Sequence, residues 1–249
     1  LIMSRQNIYD QPDFFAGYQQ IRHRQDNAND LIETPALMQL LPDLTDKRLL
    51  DLGCGAGDHC QLFIERGAAH VLGVDLSEKM LALAQHQHAH PAIRYQRLAM
   101  EDISQLQGPF DVVVSSLAFH YVADYSALVA DIYQLLAPGG VLVFSQEHPL
   151  VTCHETGERW TYDKAGQKRY ANIAHYSHEG QRQTDWLVDQ VIKYHRTFET
   201  LINTLLDNGF RLQQIVEPHG SPAVRAQYPR YEDTRHRPDF LVIRAVREG

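Results

Sequence analysis

Short apolar runs alternate with helical patterns between residues 47 and 144, and this alternation leaves few architectures open to the chain. The runs lie at 48–52, 70–74, 93–97, 111–115 and 141–144. Several are almost continuous Val, Leu and Ile, which is typical of strands buried on both faces of a parallel sheet. Helical patterns lie between them at 58–65, 77–87 and 126–136, with Ser77 as an N-cap and Pro138, Gly139 and Gly140 as a stop. The alternation predicts an open, doubly wound α/β sheet.

The pattern changes after residue 144. Residues 149–196 are rich in Tyr, His, Gln and Gly and lack a helical period, so we interpret 150–196 as an inserted cap of short antiparallel strands. A helix at 197–208 and strands at 212–217 and 240–246 follow, with 218–238 as a loop. Two helices are predicted in the first 45 residues, the first carrying Tyr9, Phe14, Phe15 and Tyr18. With 249 residues, 44% of them apolar, we expect a single domain, 1–249.

Charge and cysteine content exclude several classes of protein. The formal net charge is -8, so a globally basic surface for nucleic acid or membrane is absent. Three irregularly spaced Cys without a CxxC pair indicate neither a disulfide framework nor a zinc site. No run approaches the roughly 18 apolar residues of a membrane helix, and no signal-peptide pattern is present. We therefore expect a cytoplasmic location and no nucleic-acid or membrane partner.

A glycine-rich turn follows the first predicted strand. It reads Asp51-Leu52-Gly53-Cys54-Gly55-Ala56-Gly57 and opens the first helix, where glycines let the backbone approach a ligand and free N–H groups face it. Asp75 ends the second strand, 20 residues after Gly55, where a carboxylate accepts hydrogen bonds from ribose hydroxyls. The dinucleotide pattern GxGxxG fails because the sixth position from Gly53 is Asp58. These features indicate a nucleotide-like ligand and disfavour a nicotinamide-dependent oxidoreductase.

Four segments in order resemble the class I S-adenosylmethionine-dependent methyltransferases, and within them the small-molecule (type 11) group. The matching segments are 49–57, 73–75, 110–121 and 135–140. The resemblance implies a Rossmann-like seven-stranded sheet with an N-terminal helical lid, and S-adenosylmethionine as cofactor. It assigns cofactor binding to Tyr18, Asp51, Gly53, Cys54, Gly55, Asp75, Leu76, Met100, Glu101, Ser116 and Leu117.

Within that set the resemblance gives each position a role. Gly53, Cys54 and Gly55 are expected at the methionine part, Ser116 and Leu117 beside its amino group, Asp75 at the ribose and Leu76 under the adenine. Where the family commonly has Gly-Asp-Ala, this chain has Ala99-Met100-Glu101, and we favour Glu101 as the acid near the adenine. For Tyr18, a lid over the sulfonium and a plain core position are both open. Asp75 as a mere cap of the following helix is the alternative to ribose binding.

Three histidines are candidates for the catalytic base: His120, His148 and His195. His120 and His148 follow the fourth and fifth strands, at the edge where doubly wound folds bind ligands, and His195 ends the inserted segment. A structural role is the alternative for each. A second group at 86, 88 and 90 precedes Pro91 at a helix end, where solvated histidines are common, so we expect no metal.

The sequence therefore predicts a methyltransferase acting on an O, N or C atom of a small molecule. A base is needed where the acceptor must lose a proton. A motif typical of nucleic-acid methylation would follow the fourth predicted strand. This chain has Ser115-Ser116-Leu117-Ala118 at that position, so the motif is absent. The alternative is an S-adenosylmethionine-binding sensor or partner-activated subunit without activity of its own.

Overall fold

The computed structural model describes residues 7–22, 24–186 and 188–249, and side chains outside 185–189. The expected domain 1–249 therefore includes positions that lie outside the described residues. In chain order the strands are β1 (Arg48–Leu52), β2 (His70–Asp75), β3 (Ile93–Arg97), β4 (Phe110–Ser115), β5 (Leu136–Glu147), β6 (Trp160–Tyr162), β7 (Lys168–Ala171), β8 (Gly180–Trp186), β9 (Val188–His195), β10 (Phe210–Val216) and β11 (Phe240–Arg247).

Helices connect these strands. They are α1 (Pro12–Arg22), α2 (Thr34–Leu40), α3 (Asp58–Glu65), α4 (Glu78–Gln87), α5 (Tyr125–Leu135), α6 (Pro149–Thr152), α7 (Phe198–Asp207) and α8 (Pro222–Gln227). A π-helical turn (Asn29–Glu33) leads into α2, and short 3-10 turns occupy Ile8–Asp10, Met100–Gln105, Phe119–Tyr121 and Pro229–Arg235. None of the helices within the described ranges has the length and apolar character needed to cross a membrane.

Seven strands form one sheet in the order β3-β2-β1-β4-β5-β11-β10. Neighbours from β3 to β5 pair in parallel, whereas β11 pairs antiparallel with both β5 and β10. The expected doubly wound α/β fold is confirmed. Because β1 to β5 run in one direction, their carboxyl ends meet at a single edge of the sheet, where such folds bind ligands.

Apolar clusters cover both faces of this sheet. Successive valines of β4 show why the strands lack alternation: Val112 and Val114 belong to the cluster with Phe63 of α3, whereas Val113 packs in the cluster with Ile132 of α5. All three valines are at most 1% exposed. Burial on both faces explains the continuous Val, Leu and Ile runs that mark a parallel sheet.

Local signals place most element ends where the sequence predicts them. Ser77 caps α4, its Oγ accepting from the Met80 N–H at 3.1 Å. The α5 helix begins one residue earlier than predicted because Asp124 caps it, accepting from the Ala127 N–H at 2.9 Å. The link at 218–238 is not only a loop as expected, since it holds α8 and a 3-10 turn; Ser221 caps α8 and Pro222 begins it.

Two antiparallel hairpins, β6–β7 and β8–β9, make up most of the inserted segment 149–196. The short helix α6 opens it. Arg196 joins the second hairpin to the segment between the Phe119–Tyr121 turn and α5, its guanidinium donating to the carbonyl of Ala123 at 3.0 Å and to that of Val122. The predicted antiparallel insertion after the fifth strand is confirmed, and it lies against the edge where β1 to β5 end.

Candidate active site at the carboxyl ends of the strands

The glycine turn after β1 contacts the end of β2 and the residues that follow β4. The Gly53 and Cys54 N–H groups both donate to the Val74 carbonyl, at 2.9 and 3.0 Å. Gly53 has a φ of +70°, and a Cβ built there would lie 2.7 Å from Cβ of Ala118. Only glycine tolerates both the left-handed backbone and this approach. The turn thus leaves backbone, not side chains, facing the space above the sheet.

Asp75 lies at the end of β2 with its carboxylate held by two backbone donors. The Gly55 N–H donates to one oxygen at 2.9 Å and the Ser77 N–H donates to the other at 2.8 Å. Burial raises the pKa of this carboxyl, while the two N–H donors act in the opposite direction. Asp75 also lines the cavity above the glycine turn. Asp75 thus holds the cap residue Ser77 in place while Ser77 itself caps α4, and ribose binding by Asp75 stays a prediction.

A cavity of about 930 Å³ occupies this edge of the sheet, within the range of small-ligand sites. Ten of the eleven residues proposed for cofactor binding line it: Tyr18, Gly53, Cys54, Gly55, Asp75, Leu76, Met100, Glu101, Ser116 and Leu117. Asp51 does not. It is buried behind the turn, where it accepts from the Cys60 thiol at 3.3 Å, and burial raises its pKa to about 6. Asp51 therefore lies where it can stabilise the glycine turn but does not reach the cavity in which a cofactor would bind.

The end of β4 carries a backbone conformation that is rare outside glycine. Leu117 has a φ of +53°, and its N–H donates to Ser145 of β5, at 3.1 Å to the carbonyl and 3.0 Å to the hydroxyl. Strained backbone of this kind is found most often at functional sites. Ser145 therefore fixes the cavity wall formed by Ser116 and Leu117.

The N-terminal segment lies over the cavity. Tyr9, Tyr18 and Tyr121 line it, and the ring of Tyr9 is perpendicular to the other two, at centroid distances of 5.1 and 6.5 Å. Asp10 fastens the segment to the start of α4 by accepting from the Ser77 hydroxyl and the Lys79 N–H, the latter at 3.1 Å. Tyr18 is thus packed against Tyr9 and also lines the cavity, and its role as a lid over the sulfonium stays a prediction.

His120 reaches the same cavity from the 3-10 turn after β4. Only 3% of the residue is exposed, and its Nδ1 accepts from the Glu147 N–H at 3.4 Å. Burial lowers the pKa of His120 to about 4, with Lys193 and Arg196 acting in the same direction. The ring is therefore neutral at neutral pH. With Nδ1 as an acceptor, its proton lies on Nε2.

His148 and His195 do not line the cavity. His148 caps α6 through Nδ1, which accepts from the Leu150 N–H at 3.1 Å, and its Nε2 lies 2.8 Å from Glu217. Both ring nitrogens of His195 are also engaged, with the Thr152 hydroxyl and the Tyr176 carbonyl, each at 2.8 Å. These contacts favour structural roles for both histidines, in place of the catalytic role that their sequence positions suggested.

Two carboxyl groups near the cavity, the partly buried Glu147 and the fully buried Glu33, are not among the site residues that the sequence predicts. Glu147 ends β5 and lines the cavity, and Lys193 of β9 donates to it at 2.6 Å. Burial alone would raise the pKa of Glu147, but Lys193 and His120 hold it below its usual value. Glu33, fully buried before α2, accepts from the Ser116 hydroxyl at 2.9 Å. The one hint that the sequence offers for Glu33 is that it directly follows two apolar residues, Leu31 and Ile32.

Solved structures and a family model match this chain. The model of a methyltransferase domain matches residues 49–140. An S-adenosylmethionine dependent methyltransferase from Mesorhizobium loti superposes with a TM-score of 0.79 and 40% identity, over 86% of this chain and 97% of the other. A Listeria monocytogenes protein assigned to the same class gives 0.81 and 39% identity, over 87% and 97%.

Curated enzymes match over shorter stretches. Trans-aconitate 2-methyltransferase from Deinococcus radiodurans is 37% identical over 43% of this chain and 40% of its own length. Malonyl-[acyl-carrier protein] O-methyltransferase from Enterobacter lignolyticus is 37% identical over 49% and 48%. The chain thus spans under half the length of these two enzymes, whereas the solved methyltransferases match it along most of its length. The sheet order and the glycine turn agree with these similarities, which extend over most of the chain. The chain therefore belongs to the S-adenosylmethionine-dependent methyltransferase family.

Proposed function

We propose that this methyltransferase transfers a methyl group to a carboxylate oxygen of a small-molecule acceptor. The observation that carries the proposal is the place of His120 in the cavity wall, where its Nδ1 accepts from the Glu147 N–H and Nε2 is therefore the ring nitrogen that can donate. The ring thus offers a hydrogen-bond donor instead of a base. An oxygen that arrives already ionised needs no base, and at neutral pH carboxylates are the common acceptors of this kind.

The residues at the glycine turn fit S-adenosylmethionine. Gly53 presents backbone where a Cβ would clash, Gly55 has a φ of +53°, and the carboxylate of Asp75 keeps acceptor capacity beyond its two backbone bonds. We assign Asp75 to the ribose hydroxyls, and Leu76, Met100 and Glu101 to the adenine side of the cavity. When bound, S-adenosylmethionine supplies an electrophilic methyl carbon on a sulfonium.

The acceptor side of the cavity lies between the end of β4 and the inserted segment. His120 and Glu147 form its wall, with Arg230 near the opening. Because Glu147 is paired with Lys193 of β9, its charge is offset and its depressed pKa makes it a poor base. In this proposal residues 150–196 are a cap within the domain 1–249, and Lys193 links that cap to the site.

In the proposed methyl transfer, the main role of the residues on the acceptor side is to hold the acceptor in place. The Nε2–H of His120 donates to one carboxylate oxygen, while the second forms a bond to the methyl carbon. The carbon–sulfur bond breaks, its electron pair stays on sulfur, and no proton moves. Alignment of this kind supplies about 7 to 11 kcal/mol of a barrier. The names of the two curated relatives, one acting on trans-aconitate and one an O-methyltransferase, agree with this acceptor class.

Two substitutions at position 120 test the role. His120→Gln keeps an N–H donor near Nε2, whereas His120→Leu removes it. We expect the Gln variant to retain at least about a tenth of the turnover and the Leu variant about a hundredth, since a hydrogen bond to a charged group contributes ~1.5 to 3 kcal/mol. Turnover is followed as labelled methyl transfer to a panel of carboxylic acids, phenols and amines.

Three results would contradict the proposal. Equal loss in both variants would make His120 a base, and methylation of phenols or amines alone would exclude the carboxylate acceptor. Binding of S-adenosylmethionine without transfer to any extract fraction would favour the sensor.

A further inference from the structure

Glu33 is a buried carboxyl group without a cationic partner among the described residues. It lies on the π-helical turn before α2 with 0% exposure. Its neighbours are hydroxyls: Ser116 donates to Oε1 at 2.9 Å, Ser145 donates to the same oxygen, and Thr34 donates to Oε2 at 3.0 Å. Burying a charge without an opposite charge is costly. A cationic group on a bound ligand would offset this cost.

Among the described residues that line the cavity, each arginine already has an acidic partner, including Arg24, which pairs with Asp26 at 2.8 Å. Arg22 pairs with Asp30 at 3.0 Å and Asp58 at 3.6 Å, and Arg230 pairs with Asp26 at 3.1 Å. Within the part of the chain that the structure describes, no ion pair reaches Glu33. S-adenosylmethionine, by contrast, carries a protonated amino group.

The hydroxyl of Ser116 connects Glu33 to the cavity. Ser116 lines the cavity, whereas Glu33 lies one layer behind it. A serine hydroxyl has one hydrogen and two lone pairs. Because that hydrogen is donated to Glu33, the oxygen faces the cavity as an acceptor. Ser116 therefore favours a ligand group that donates, as an ammonium does.

The strand order places this acceptor at the correct end of the cavity. Asp75 ends β2 and Ser116 follows β4, with β1 between them. Strands lie roughly 4.8 Å apart, so the two side chains are separated by about 10 Å along the edge. If Asp75 holds the ribose, the amino-acid part of the cofactor extends across the glycine turn of β1 toward Ser116 and Thr34.

We propose that Glu33 is a positioning residue for the cofactor, providing through Ser116 the buried counter-charge for the amino group of S-adenosylmethionine. The inference rests on the cofactor site proposed above. Glu33 also connects the N-terminal segment to β4 and β5, so a structural role would weaken every ligand equally. A counter-charge acts only on ligands that carry the amino group.

Calorimetric binding of three ligands separates these roles. S-adenosylmethionine and S-adenosylhomocysteine both carry the amino group, while 5′-methylthioadenosine lacks the amino-acid part. Glu33→Gln keeps the shape and removes the charge. We expect the Kd of the first two ligands to rise at least about tenfold, as for a lost charge-assisted hydrogen bond, and that of 5′-methylthioadenosine to change less than twofold. Ser116→Ala is expected to show the same selectivity.

The remaining outcomes overturn specific parts of the inference. Equal weakening of all three ligands in both variants means that Glu33 is structural. Weakening of S-adenosylmethionine alone means that the sulfonium, not the amino group, is sensed. If Glu33→Gln shows no cooperative unfolding, Ser116→Ala decides by the same comparison. Failure of the unmodified protein to bind any of the three would instead overturn the cofactor site itself.

Discussion

The glycine turn and the inserted segment both bury polar groups, but they satisfy them differently. At the turn, Asp75 is held by N–H groups of Gly55 and Ser77, all within the motifs after β1 and β2. In the inserted segment, two buried arginines donate to backbone carbonyls: Arg182 to Cys153 at 3.3 Å and Gln181 at 3.2 Å, and Arg196 to Ala123 at 3.0 Å. In the first region, backbone donors hold a side chain that lines the cavity, whereas in the second, arginine side chains hold backbone that lies outside it, apart from Val122.

Gly53→Ala should give the largest effect and act on both binding and stability. The added Cβ meets Cβ of Ala118 at 2.7 Å on a backbone with φ +70°. Crowding and left-handed strain together cost about 3 kcal/mol, and displacement of the turn should weaken S-adenosylmethionine binding roughly a hundredfold, or ~3 kcal/mol. Urea unfolding and calorimetry measure the two quantities.

Gly139→Ala is the matched control. Its φ is +76°, but nothing lies within 4 Å of the added Cβ, so only the strain of about 1 kcal/mol remains. Its Kd for S-adenosylmethionine should not change. If both variants bind the cofactor as tightly as the unmodified chain, the turn is not the binding wall.

Arg182→Met should separate stability from binding in the inserted segment. The side chain is 2% exposed and near Glu155 at 3.5 Å. Its removal deletes the hydrogen bonds to the carbonyls of Cys153, Gln181 and His178, and we expect the free energy of unfolding to fall by about 2 to 3 kcal/mol. The Kd for S-adenosylmethionine should stay within about twofold, since Arg182 is outside the cavity.

Arg169→Met provides the control on the same segment. Arg169 is exposed on β7 and donates to the hydroxyl of its neighbour Tyr170 at 3.1 Å, so the change should cost less than about 0.5 kcal/mol. A loss of cofactor affinity in Arg182→Met comparable to its loss of stability would show that the two regions are coupled.

The same contrast explains what the sequence could and could not predict. Strands 48–52 and 93–97 match to the residue, and ten proposed cofactor residues line the cavity, because glycines and strand ends act through local geometry. The sequence could not place His148 and His195 outside the cavity, because their partners, Glu217 and Tyr176, lie far from them along the chain. Long-range pairing of this kind leaves no periodic trace along the chain.

Acid should affect the two regions with opposite signs. Burial lowers the pKa of His120 to about 4 from 6.5, so between these pH values the unfolded chain binds a proton that the folded chain does not. Its contribution to stability is complete above pH 6.5 and is lost as pH falls toward 4. Asp51 behaves in the opposite way. Burial raises its pKa to about 6 from 3.8, so its contribution is present at low pH and is lost as pH rises through 6.

His120→Gln and Asp51→Asn remove these two titrations separately. When the pH falls from 7.5 to 5, the titration of His120 should lower the free energy of unfolding of the unmodified protein by about 2 kcal/mol, and that of Asp51 should raise it by about 1 kcal/mol. Relative to the unmodified protein, the stability of His120→Gln should therefore rise at pH 5, and that of Asp51→Asn should fall. Urea unfolding at both pH values measures the differences, and buried histidines common to all three proteins cancel. If the relative stability of both variants changed in the same direction between pH 7.5 and pH 5, the pKa values of His120 and Asp51 would not be shifted in the opposite senses described above. The proposed electrostatic difference between the turn and the acceptor side of the cavity would then be wrong.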